Sequence, residues 1–259
     1  MAGVLLVPAS VWAQSTTAQD DQVDAANASH WRLGLGIAVS DDGYAGQGSR
    51  VLPIPLIVYQ SNRFFFQGIT GGVHLLKSDG FVVDAILSPG SNYIDASDFS
   101  RADLARRGVN RTDLQDRGRS IDAGFAASWT GSLGQLKATA KTDISGTSDG
   151  AEYSLEYGYP IKWGGFKITP TAGAVFLSSK VADYYYGIHP EEMRRGAPGY
   201  EPGGSLLPEA GVSLIRPIGH KWTLMVSARY TVLPDKINNS PLVDSSHGSI
   251  VLVGFTRSF

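Results

Sequence analysis

Five histidines, His30, His74, His189, His220 and His247, are the side chains best suited to metal or proton chemistry. A metal set needs ligands at short fixed spacings, and none of the five stands at such a spacing from another His or an acid. Cysteine is absent, which removes thiolate ligands, disulfides and thiol nucleophiles together. No Gly-x-Ser-x-Gly elbow, His-Glu-x-x-His pair or phosphate-cradling glycine loop occurs. The histidines are therefore expected to be solvent-exposed polar residues, with His220 in a short turn and His189 and His247 in long loops. No metal, cofactor or catalytic residue is expected, and the chain reads as a non-enzyme.

A larger set of charged residues recurs at every second position. Arg32, Asp84, Asp122, Lys137, Lys141, Asp143, Glu152, Glu156, Lys167, Glu209 and Arg229 stand in segments where the alternate positions are apolar. Their signs are mixed. A selective pore sorts its charge so that one wall attracts the permeant ion, whereas mixed charge on a narrow inner surface pairs with itself. These residues are expected to line a narrow or plugged lumen.

The elements that must hold them are strands. In "KWTLMVSARYTVLP", Trp222, Leu224, Val226, Ala228, Tyr230 and Val232 share one face, while Lys221, Thr223, Ser227, Arg229 and Thr231 share the other. The same period runs through "SIDAGFAASWTG", "GQLKATAKTDISG" and "GAEYSLEYGYPIKWG", and through 31–39, 48–60, 63–78, 81–88, 165–179, 206–219 and 248–259. Abundant glycine, 31 residues, fits many turns and close backbone approaches. Splitting 63–78 at Gly71-Gly72 makes the number of strands even, about 12, with ten as the fallback. Pro53 and Pro55 cannot donate to a ladder, so 48–60 is expected to be irregular or partly outside the hydrogen-bonded wall.

Three features assign the apolar face to lipid. Tight links at 61–62, 78–80, 131–134, 163–165 and 219–221 are interleaved with long ones near 40–48, 89–119, 180–205 and 235–247. Outer-membrane barrels pair short periplasmic turns with long external loops in this way. Trp31, Trp129, Trp163 and Trp222 all fall at the short-turn end, as a periplasmic aromatic girdle requires. The last strand carries Val251, Val253, Phe255 and Phe259 on one face and can close the sheet against "WRLGLGIAV", leaving no backbone unpaired in the bilayer. The fold class is all-β, a transmembrane antiparallel β-barrel.

The amino-terminal "MAGVLLVPASVWAQS" has the apolar stretch and small-x-small site of a secretory signal, expected at 1–13. Residues 14–30 have the composition of a disordered periplasmic tail, and 31–259 form the barrel. No apolar run reaches the eighteen or so residues of a spanning helix. A net charge of -2 argues against a nucleic-acid partner. The basic run "RADLARRGVNRTDLQDRGR" is interleaved with acids and amides and reads as a solvated loop, and Glu191, Glu192, Arg194 and Arg195 as a solvated helical turn. Tyr184, Tyr185, Tyr186 and Tyr200 lie in a long external loop, either as partner-binding aromatics or as rings packed over the barrel mouth.

"GLGIAVSDDGYAGQGSRVLPIPLIVYQSNRFFF", "VADYYYGIHPEEMRRGAPGYEPGGSL" and the ending "VLVGFTRSF" resemble the MipA/OmpV outer-membrane proteins across essentially the whole mature chain. The resemblance implies a barrel in the cell outer membrane of a Gram-negative bacterium, surrounded by outer-membrane lipid. It implies a scaffold for murein enzymes, a lytic transglycosylase and a peptidoglycan synthase, with no catalytic residue to carry over. It also implies that Phe259, with Phe255, belongs to the signal read by the barrel-assembly machinery. A small-solute channel, or an adhesin acting through the long loops, is the alternative.

Overall fold

The computed structural model describes residues 30–259 apart from Ser91. Its strands are β1 (Trp31–Asp41), β2 (Arg50–Gln60), β3 (Phe64–Gln67), β4 (Thr70–Ser78), β5 (Phe81–Pro89), β6 (Ile121–Gly131), β7 (Gly134–Asp143), β8 (Ala151–Gly158), β9 (Ile161–Trp163), β10 (Phe166–Leu177), β11 (Ser205–Ile218), β12 (Trp222–Val232) and β13 (His247–Ser258). All ladders are antiparallel, sequence neighbours pair except that β8 skips β9 to reach β10, and β13 closes on β1 through ten residue pairs from Arg32↔Ser258 to Asp41↔Ser249. β8 and β9 pair with the same strand, β10, and form one wall strand interrupted at Tyr159-Pro160. Counted so, the wall is a closed twelve-stranded barrel.

The period of two is what sorts the side chains. On β12 the outward positions include the exposed Trp222, Tyr230 and Val232, while Met225 and Arg229 are buried inside. Leu35, Ile37, Val51, Phe125, Leu155, Val253 and Phe255 are also exposed on the outer surface, an apolar belt around the wall. No helix among the described residues is long and apolar enough to cross a membrane. The barrel crosses with its strands, its apolar belt in the hydrocarbon.

The even strand number comes from a different break than the sequence suggested. The chain turns at Gly68-Ile69, where Gly68 takes φ 63°, and not at Gly71-Gly72, which lie inside β4. Gly72 is needed there because a Cβ would fall 2.3 Å from the ring of Phe65. The resulting β3–β4 hairpin is short and turns tightly on the loop side, the one place where short and long links do not alternate. A further loop-side link, 144–150, takes in the end of "GQLKATAKTDISG", where Ile144 continues the outward apolar row beyond the last strand residue, Asp143.

β2 is more regular than its prolines suggested. It pairs with β1 along ten consecutive residues, Arg50 to Tyr59, Pro53 and Pro55 included. On its other edge only Val58, Tyr59 and Gln60 have ladder partners, in β3. A proline is tolerated where its missing N–H faces away from a paired neighbour, and the free edge of β2 supplies that position.

The core has two parts. Inside the wall, Leu52, Ile54 and Leu56 of β2 pack with Ala38, Met225 and Leu252. Leu56 lies against Gly36 and Gly254, and a Cβ on Gly254 would sit 2.5 Å from Leu56 Cδ1. Glycine on the inner surface of β1 and β13 is what lets Leu56 lie flat across these two neighbouring strands. Above the wall, loops 42–49, 90–120, 178–204 and 233–246 share a second core around Tyr44, Ile94, Phe99, Leu104, Tyr186, Ile237 and Val243.

Candidate functional site

Three surfaces carry the chemistry: the charged lumen, the loop cap and the short-turn rim.

In the lumen, the alternation of β6, β7, β8, β11 and β12 turns charged side chains toward one another. Lys141 stands opposite Glu152 in the β7–β8 register and reaches Glu152 Oε1 and Asp122 Oδ2, each at 3.2 Å. Arg229 of β12 reaches Glu209 Oε2 of β11 at 3.2 Å and Glu156 Oε2 of β8 at 2.8 Å. Thr231 Oγ1 donates to Glu209 Oε1 at 3.0 Å. Lys137 faces Glu156 across the β7–β8 ladder, and Asp143 stands at the top of β7, where its carboxylate accepts from the N–H groups of Ser145 and Ser148. Arg32 and Lys167 take inward positions at the short-turn end. The pairing is the physical answer to burying these charges, since each cation in the cluster brings a carboxylate with it.

His74 is not a surface residue. Its Nδ1 donates to Asp84 Oδ1 at 2.6 Å, its Nε2 accepts from Gln60 Nε2 at 2.8 Å, and Phe65 stacks on the ring with centroids 5.1 Å apart. The side chain is 8% exposed. The sequence misplaced it because a lone His between apolar neighbours looks the same on either face. No hydroxyl or thiol appears among these partners, so the dyad lacks the nucleophile that acyl-transfer chemistry needs. No group of three metal-ligating side chains occurs among the described residues.

The cap is fastened by an ion pair that sequence reasoning missed. Arg117 donates to Glu192 through Nη1 at 2.6 Å and Nη2 at 2.8 Å, and also to the carbonyls of Gln115 and Gly187. Glu192 accepts in addition the N–H groups of Gln115 at 2.8 Å and His189 at 2.7 Å. Both side chains are essentially fully buried, at 1% and 0% exposure. Thus the basic run 101–119 and the helical turn after it are solvated only in part: Glu191, Arg194 and Arg195 are exposed, while Arg117 and Glu192 tie loop 90–120 to loop 178–204. One local signal was available. "HPEE" places Pro190 first and Glu192 third in the helix Pro190–Arg194, the pattern of a capping box, and that box points the carboxylate inward.

Tyrosines complete the cap. Tyr44 stacks on Tyr186 at 5.4 Å, meets Phe99 edge-on at 5.8 Å, and its backbone bridges to Val243, so one residue touches all four long loops. Tyr185 donates to the Gly118 carbonyl and Tyr184 accepts from the Gly118 N–H, both at 3.0 Å. Tyr200 donates to the Lys236 carbonyl at 2.8 Å. Tyr185 and Tyr186 are buried, while Tyr184 and Tyr200 are half-buried.

Electrostatics in the cap follow from burial. Burial alone would raise the Glu192 carboxyl, but Arg117 and the two backbone N–H groups outweigh it and hold it below its usual range. Burial pushes the Asp42 carboxyl up to about 6, with Arg50 opposing and Asp41 adding to the rise. Burial, reinforced by Arg117, lowers His189. Beneath the cap a cavity of ≈ 10 Å³, lined by Ser120, Asp122, Lys141, Glu152 and Tyr185 among others, has room for about one water.

At the opposite end, Trp31, Trp129, Trp163 and Trp222 are all exposed at short-turn strand ends. Phe255 faces outward on β13, and Phe259 is exposed with its N–H donating to the Trp31 carbonyl at 3.3 Å. The expected signal segment and nearly all of the expected tail lie outside the described residues.

A family model described as MltA-interacting protein MipA matches residues 33–259. The MltA-interacting protein of Escherichia coli K12 is 30% identical over 88% of this chain and 89% of its own length. A putative outer membrane protein, YiaT, of Escherichia coli O157:H7 is 29% identical over 90% of this chain and 93% of its own. Among solved structures, a NanC porin overlays 88% of this chain and all of its own at 9% identity, with a TM-score of 0.47.

Proposed function

Because the chain belongs to the MltA-interacting protein MipA family, we propose that this outer-membrane barrel is a non-enzymatic, non-conducting scaffold that docks a murein lytic transglycosylase of the MltA kind on its periplasmic rim. Through that enzyme it would also organise a peptidoglycan synthase. The observation that carries this reading is the closure of the barrel from the outside. Paired charges and glycine-seated apolar side chains line the lumen, and four loops that share one apolar core, two of them tied by Arg117 and Glu192, cover its mouth. A protein built so presents its periplasmic turns, not a pathway.

Two measurements test it together. The purified barrel in nanodiscs is titrated with an MltA-type transglycosylase, and the same preparation is placed in a planar bilayer. Saturable binding with a silent bilayer is expected. Discrete conductance steps without binding would replace the scaffold with a small-solute channel.

A further inference from the structure

Two arginines stand on the outer surface of the wall, where the neighbour is lipid. Arg216 takes an outward position on β11, and its guanidinium carbon lies 4.5 Å from the centre of the Phe166 ring. Arg257 takes an outward position on β13, directly opposite Trp222 in the ladder, and lies 5.7 Å from the Trp222 ring and 5.2 Å from that of Phe259. Lys221 is exposed in the turn that leads into Trp222. All three belong to one sector of the short-turn rim, built by β10, β11, β12 and β13.

This sector has no side-chain counter-charge. Segments 161–169, 214–223 and 255–259 contain no Asp or Glu. Among the described residues Arg216, Lys221 and Arg257 form no ion pair, in contrast with Lys141 and Arg229 inside the barrel. An arginine on the lipid face costs roughly 2–4 kcal/mol at the bilayer midplane and about 0–1 kcal/mol near the interface. The aromatic rings beneath these two guanidinium groups mark the interface, the level of the headgroups. A ring face holds the guanidinium flat, and its N–H edge stays available for a bidentate partner. Phosphate is the partner with matching geometry at that depth.

We propose that Arg216, held over Phe166, and Arg257, held over Trp222 and Phe259, form with Lys221 a binding site for the phosphate of an anionic phospholipid headgroup in the periplasmic leaflet. The site fixes the depth and tilt of the barrel on the side where β13 meets β12. It is independent of whether a murein enzyme docks on the turns.

The test uses the full chain in nanodiscs of mixed phosphatidylglycerol and phosphatidylcholine, with retained lipid read by native mass spectrometry after the bulk bilayer is stripped. Preferential retention of phosphatidylglycerol, by about tenfold or more, is expected for the unmodified protein. R216Q/R257Q should abolish the preference, R216K/R257K should keep part of it, and R63Q/K77Q, on the far side of the rim, should leave it intact. Inorganic phosphate in excess should not displace the lipid, which separates a headgroup site from a general phosphate site. Equal retention of the two lipids by the unmodified protein overturns the proposal even if R216Q/R257Q does not assemble. So does a preference that R216Q/R257Q retains, or that R63Q/K77Q loses equally.

Discussion

Arg229 on β12 meets Glu156 on β8 at 2.8 Å although β11 and β10 lie between them in the wall. The reach is about three strand spacings, roughly 14 Å along the sheet. It is open because Gly211 and Gly173 stand on the intervening strands, opposite Arg229 and Glu156 in their registers. A Cβ at Gly211 would fall 2.9 Å from Thr171 Oγ1, and one at Gly173 2.4 Å from the Leu155 carbonyl oxygen. Glycine at these two positions therefore serves the charge pair as much as the backbone.

Replacing Arg229 by alanine strands Glu156 and Glu209 inside the barrel without their cation. Removing one partner of a buried pair costs about 3–5 kcal/mol. The temperature at which the unboiled gel band loses its fast mobility should drop sharply in R229A. It should recover in part in R229M/E209Q, where Glu156 still faces the Lys137 cation across the β7–β8 ladder. No recovery would mean that Arg229 acts through packing alone.

Gly254→Val should overpack the inner core against Leu56. Overpacking of this kind costs about 1–3 kcal/mol, and G254V/L56A should regain folded yield because the smaller side chain frees the space. Equal yields of G254V and the unmodified barrel would contradict the close contact.

In the cap, R117A leaves the Glu192 carboxylate buried and uncompensated. External loops 90–120 and 178–204 should then be cut by protease on intact cells, where the unmodified protein resists. R117K should rescue poorly, since an ammonium cannot make the fork-shaped contact with both carboxylate oxygens.

The cap should also respond to pH on two sides. Glu192 has a lowered folded pKa, so its contribution is present above the ordinary carboxylate range and is lost as pH falls through the folded value. Asp42 is raised to about 6, so its contribution is present at acid pH and is lost as pH rises through about 6. Protease resistance of the loops should therefore decline between about pH 4 and about pH 7 on account of Asp42. D42N should flatten that decline. A D42N profile parallel to that of the unmodified protein would exclude the carboxylate as its cause.

Phe259 is tied to the first strand by its N–H bond to the Trp31 carbonyl, and its ring takes part in holding Arg257. A chain lacking Phe259 should give less heat-modifiable barrel in isolated outer membranes, as expected if the barrel-assembly machinery reads the terminal aromatic. An undiminished fast band would remove that role from Phe259.

Much of the wall is written in local sequence. A period of two is a property of neighbours, so "KWTLMVSARYTV" declares its two faces without reference to any other strand, and the glycine and proline punctuation declares most of the turns. The outward tryptophans and the inward Lys141, Glu152, Glu156 and Arg229 follow from that period alone. The strand break is less local. Gly68 and Gly71-Gly72 are equally good turn formers, and only the need to seat the Phe65 ring over Gly72 assigns one to the turn and the other to β4.

What the sequence by itself determined was the alternating wall and the solvent its outer face meets, because each depends on spacing along the chain. What only the tertiary structure decided was which charges are partners. Arg117 and Glu192 are 75 residues apart, each among charged neighbours that do face water, and beyond the capping box at Glu192 nothing local distinguishes them. Their burial exists only once four separate loops have converged on one apolar core, and the energy of a buried charge depends on what surrounds it rather than on what precedes it.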